Sequence, residues 1–189
     1  MSPTTEQWGE VLRTHLALAE DGSPVLAAAV FSADAGFFAA AGRGDEDGWS
    51  YFRSVAGDVV AAVTPEGGAE AASTSGGGAG AASTSGGEGG DPDDVEALCT
   101  VCEEAVHPRG LRVAGTFWRR ESREVVSDVV TGGELHLALL REGDRSMWVV
   151  RSERGFCTFV LVDGDSDARI SEARSLALDF DSYLVGQGY

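Results

Sequence analysis

The chain has 189 residues, 43% of them apolar, enough for one domain with a core of its own. Thirty-one acidic residues against fourteen Lys and Arg leave a formal charge of −17, and such a surface repels nucleic acid and anionic lipid, whose recognition needs clustered cations. No run approaches the roughly 18 apolar residues of a membrane span, the opening MSPTTEQWGE predicts no secretory signal, and three cysteines make no disulfide framework.

Residues 4–18 predict a helix. Thr4 and Gln7 fit a capping box, and Trp8, Val11, Leu12, His15 and Leu16 recur at helical spacing. VLAAAVFS and GFFAAAG, two short apolar runs around the turn Ala33–Gly36, predict a β-hairpin. Residues 43–90 change character and predict an insertion. An amphipathic helix over 49–63 carries Trp49, Phe52, Ala56, Val59 and Val63 on one stripe. A Gly/Ser/Ala linker over 66–90 follows, with AASTSGG occurring twice and nothing to bury. Asp91 and Pro92 then open a helix, DDVEALCTVCEEAV, by N-cap and first-turn preference. Five strand-like segments come next: GLRVAGTFW, REVVSDVV, ELHLALL, SMWVVRS and GFCTFVLV. Short Gly, Asp and Glu turns between them predict an antiparallel meander. A last helix from about 165 to 185 carries Ile170, Ala173, Ala177, Phe180 and Leu184 on one stripe. The order helix, hairpin, helix, meander, helix is that of an α+β domain whose terminal helices can lie side by side on the sheet.

Catalytic motifs do not emerge. The chain has neither the Gly-rich phosphate loop nor the nucleophile-elbow serine motif, and His15, His107 and His136 are scattered at positions that read as structural. Asp163, Asp165 and Asp167 have calcium-loop spacing, but Ala168 stands where the turn needs Gly and Arg174 where the loop needs a bidentate Glu. Cys99 and Cys102 form one C-x-x-C without a second pair, and read as inert. What remains is aromatic: Trp8 on the first helix, Phe37 and Phe38 in the second strand, Tyr183 and Tyr189 at the end of the last helix. Antiparallel terminal helices would bring these rings together. They then either seal the helix pair or line a groove for a proline-rich peptide, whose stiff extended helix stacks on aromatic faces.

EQWGEVLRTHL, LAAAVFSADAGFFAA, PRGLRVAGTFW and DSYLVGQGY, in that order, resemble the profilins, a family of small actin-monomer-binding proteins. The resemblance covers 5–42 and 91–189. It implies an α+β fold: an antiparallel sheet of six to seven strands, N- and C-terminal helices side by side, and a further helix. It also implies a monomer without catalytic activity or cofactor, in the cytoplasm and cytoskeleton, that binds monomeric actin, regulates its polymerisation and binds proline-rich proteins such as formin-like elongation factors. By position, the poly-proline groove falls on Trp8, Phe38 (where a tryptophan is usual), Tyr183, Leu184 and Tyr189, with Val11 where a tyrosine is usual. The actin face falls on Arg119, Arg141, Arg169, Arg174 and Leu178, although each arginine alone also reads as a solvated edge. Arg174 and Leu178 lie about 160° around the helix from Tyr183, which sets the two ligands on opposite flanks. The acidic surface implies that phosphoinositide binding is weak or absent. The alternative is an adaptor on the same fold that binds proline-rich peptides without actin.

Overall fold

A computed structural model describes residues 5–32, 36–44, 46–52, 110–114, 116–128 and 132–188. Seven strands form one antiparallel sheet: β1 (Val25–Ser32), β2 (Gly36–Gly42), β3 (Gly110–Val113), β4 (Thr116–Ser127), β5 (Glu134–Glu142), β6 (Arg145–Ser152) and β7 (Phe156–Val162). Their order is β2-β1-β7-β6-β5-β4-β3, so the later five strands are a meander and the first hairpin joins it through β1 and β7. Its strand breaks differ from the sequence expectation in one place. GLRVAGTFW is a hairpin: Val113 pairs with Thr116 across a two-residue loop, with Ala114 at φ +50°. The second half of that segment runs on through REVVS as the single long strand β4. A Cβ at Gly110 would stand 2.2 Å from the Trp118 carbonyl oxygen, so only glycine admits this close approach of β3 to β4.

Among the described residues there are three helices: α1 (Thr5–His15), α2 (Trp49–Phe52) and α3 (Asp167–Gly186). α1 stops three residues before the expected end. Ala17 turns left-handed at φ +54° and the Leu18 N–H donates to the Arg13 carbonyl at 3.0 Å, a Schellman-type closure that satisfies a terminal carbonyl. α3 starts on Ser166, whose Oγ accepts the Arg169 N–H.

The alternation of side chains along each strand divides the core into two faces. Leu135, Leu137, Trp148, Val150, Val160 and Val162 lie beneath α1 and α3. Ala138, Leu140, Met147, Val149, Phe159 and Leu161 lie on the opposite face with Leu111, Trp118 and Phe52. The stripe Ile170, Ala173, Ala177, Phe180 and Leu184 is buried, as its spacing predicts. Each fully buried Leu or Phe here contributes about 1.5–3 kcal/mol relative to exposure. The Trp148 Nε1–H donates to the Ile170 carbonyl at 2.9 Å and ties the start of α3 to the centre of the sheet. No described helix is long and apolar enough to cross a membrane.

Several expectations lie outside the described residues: the Thr4 cap, the helix over 49–63 beyond Phe52, the linker over 66–90, the helix opened by Asp91 with Cys99 and Cys102, His107 and Tyr189. Cys157 is buried and forms no disulfide among the described residues.

Candidate functional site

α1 packs across the edge strand β2, and α3 packs on β6 and β7 of the same sheet face. The two helices meet where the last residue of α1, His15, lies beside the later part of α3. The early α3 residue Arg169 bonds to the carbonyl of Ser23, beyond the end of α1, and the later Tyr183 reaches back to His15. Their shared face carries two aromatic pairs.

The first pair depends on a backbone irregularity. Ala39 and Ala41 of β2 point toward the helices, so regular alternation would turn Phe38 to the other face. Between the pairs Val30↔Ala39 and Phe31↔Phe37, however, β2 carries one residue more than β1, and that residue is Phe38. The bulge turns its ring to the α1 side, where it packs against Trp8 edge-to-face at 5.3 Å and Phe156 at 6.2 Å. Trp8 is only 6% exposed and forms the floor beneath Phe38, which is half-buried.

The second pair joins the helices. The His15 ring stacks on Tyr183 with centroids 4.0 Å apart and also approaches Phe180 at 6.1 Å. His15 follows Trp8 by seven residues, so it lies on the same side of α1 about two turns, roughly 10 Å, further on. Sequence reasoning set His15 aside as structural; its register with Trp8 was the signal that places it on this face. Leu184 is 1% exposed and supports the surface from below, out of reach of a ligand. Val11 packs partly buried against the same core.

By sequence, the chain matches no protein-family model and no curated protein. Among solved structures, profilin IB of Acanthamoeba castellanii is similar over 96% of this chain and 99% of that one, with 15% identity and a TM-score of 0.48. At that level no residue role passes from one chain to the other.

The five positions expected on a second surface do not gather in one place. Arg119 and Arg141 face each other across β4 and β5. Arg119 is exposed, whereas the Arg141 Nε–H donates to Glu121 at 2.5 Å. Arg174 forks onto Glu124 through Nε and Nη2, the latter at 2.7 Å. That hydrogen bond raises the guanidinium pKa above its already high ordinary value, against a smaller opposing effect of burial. Leu178 packs partly buried against the core.

Arg169 lies elsewhere. It sits about 40° around α3 from Tyr183, on the α1 flank. Its Nη1 donates to Asp163 Oδ2 at 2.9 Å and to the Ser23 carbonyl, while Arg43 Nη2 reaches the same carboxylate oxygen at 3.0 Å. The two arginines clamp the β7–α3 turn to the entry of β1. Among the described residues, no cluster of three or more His, Cys, Asp or Glu is placed to hold a metal ion.

Proposed function

We propose that this chain is a binding protein that holds proline-rich segments on the aromatic face formed by α1, β2 and the second half of α3. The observation that carries the reading is the β2 bulge, which turns Phe38 out of its regular register and onto Trp8. A bulge that re-aims one ring is hard to explain as a helix seal, because α1 and the residue after it already bury Trp8, Leu12 and Leu16. A polyproline helix loses little entropy on binding and offers flat ring faces and free carbonyls. Phe38, His15 and Tyr183 supply half-buried rings to match, and the Tyr183 hydroxyl a donor. Calorimetric titration with an oligoproline peptide tests this: saturable binding that Phe38→Ala and Tyr183→Ala each weaken at least several-fold supports it, and wild-type behaviour of both variants overturns it.

The resemblance to the profilins adds monomeric actin as a partner, through Arg119, Arg141, Arg169, Arg174 and Leu178, of which Arg169 lies on the flank of Tyr183 and Arg174 and Leu178 on the opposite one. Against it, Arg141 and Arg174 are already bonded within the chain to Glu121 and Glu124. That pairing favours the adaptor alternative, in which proline-rich ligands are bound without actin. A pyrene-actin polymerisation assay separates the two. Slowed polymerisation supports the actin-monomer reading, and an unchanged time course supports the adaptor.

A further inference from the structure

α3 meets β4 and the residue that follows it at two points of opposite electrostatic character. At the first, Arg174 meets Glu124 in a forked ion pair. Two turns on, about 20° around the helix from Arg174, Asp181 stands on the same flank. Here the chain leaving β4 brings Asp128, four residues after Glu124. Asp181 is 0% exposed and Asp128 3% exposed. Neither carboxyl oxygen of Asp181 has a hydrogen-bond partner among the described residues. Ser182, next in sequence, donates its hydroxyl to Asp128 Oδ1 at 2.9 Å, which fixes that acid beside this turn of the helix.

Among the described residues no cation is hydrogen-bonded to Asp181. Beneath this stretch, β5 and β6 present Leu135 and Ser152, paired in register, and the Ser152 Oγ is also without a partner among the described residues. Glu134, Glu153 and Arg154 line a cavity of about 150 Å³ beside Asp128, and Glu153 there accepts the Glu134 N–H. Within α3, Arg174 is engaged by Glu124, and Asp179 is exposed. From α1, His15 reaches Phe180 and Tyr183. A buried carboxylate with no donor and a second acid beside it is stable only with a proton on it.

We propose that Asp128 and Asp181 form a pH-sensitive latch: the C-terminal half of α3 is seated on the sheet while Asp181 holds a proton, and lifts when both carboxyls are charged. Burial first, and then the charge of Asp128, push the Asp181 carboxyl up to about 7. In an unfolded chain the same group titrates near 4, at about the ordinary aspartate value. Between about pH 4 and 7 the seated state therefore holds a proton that the unfolded chain has released, and stability falls as pH rises through that window. Above pH 7 the penalty is complete. The segment under control carries Tyr183 and Leu184, so the latch governs one wall of the aromatic face; its existence does not depend on what that face binds.

Asp181→Asn keeps the shape of the side chain and cannot ionise. Wild type is expected to lose roughly 5–10 °C of melting temperature between pH 5 and pH 8, and the variant less than half of that. At pH 8, amides of 178–186 should exchange about tenfold more slowly in Asp181→Asn than in wild type, with β5 and β6 unchanged. Parallel melting profiles and equal exchange in the two proteins overturn the latch. Should the variant fail to fold, carbon-detected NMR titration of the wild-type Asp181 carboxyl decides alone: a midpoint near 7 supports the proposal, and one below about 5 overturns it.

Discussion

Tyr183 stands half-buried near the end of α3 with the His15 ring stacked on one side of it. A ring fixed in this way needs no further ordering to meet a ligand, so its truncation removes contact area that was already immobilised. Tyr183→Ala should weaken oligoproline binding by about 1–3 kcal/mol while leaving the melting temperature nearly unchanged, as calorimetric titration and a thermal scan would establish. Trp8 belongs to the opposite class. At 6% exposure it is core, and Trp8→Ala should cost about 3–5 kcal/mol of folding stability, read by denaturant unfolding, with weaker peptide binding as a consequence. A Trp8→Ala protein as stable as wild type would mean that its ring is not a floor. The sequence made both rings visible as candidates because they sit at helical spacing, but it could not rank their exposure. That is set by β2 beneath Trp8 and by His15 beside Tyr183. Asp181 was invisible for a related reason: an acid in a helix is expected on its solvent side, and here burial against the sheet overrides that expectation.

At the scale of elements, the alternating and helical patterns defined α1, the first hairpin, β5 to β7 and α3 to within a few residues, because one face of each is buried and the period is unambiguous. Two features escaped. The hairpin inside GLRVAGTFW depends on Ala114 adopting a positive φ, which an alanine does not advertise. The bulge at Phe38 depends on the register of β1 against β2, a property of the pair that neither strand carries alone. Arg169 shows the reverse case. Its angle around α3 already placed it with Tyr183, and only the family pattern assigned it to the other flank. The Arg174–Glu124 crossing gives a prediction at this scale. Arg174→Glu and Glu124→Arg should each destabilise the fold, and the charge-swapped double variant should recover about 1 kcal/mol in a double-mutant cycle by denaturant unfolding. Strict additivity would show that the fork contributes nothing to holding α3 on β4.

For the whole molecule, the acidic charge and the segment over 66–90 set the remaining expectations. That segment contains ten glycines and no aliphatic residue larger than alanine, a composition that cannot repay the entropy of ordering, and loop closure costs little more for a long connection than for a short one. Replacing 66–90 by a short Gly/Ser link should therefore leave the melting temperature and peptide affinity within error of wild type; a loss of several degrees would show that the segment is packed. The fold class was legible because composition, turn spacing and helix stripes agreed. The ligand face was legible only as a set of rings, since their grouping is made by a register shift and a helix–helix contact. Calorimetric titration of an oligoproline peptide into the full chain at pH 6, where the Asp128–Asp181 pair retains its proton, tests the central claim most directly. The account predicts saturable one-to-one binding that Tyr183→Ala weakens at least about fivefold. No binding heat at millimolar peptide, or equal affinity for a Gly/Ser peptide of the same length, would contradict it.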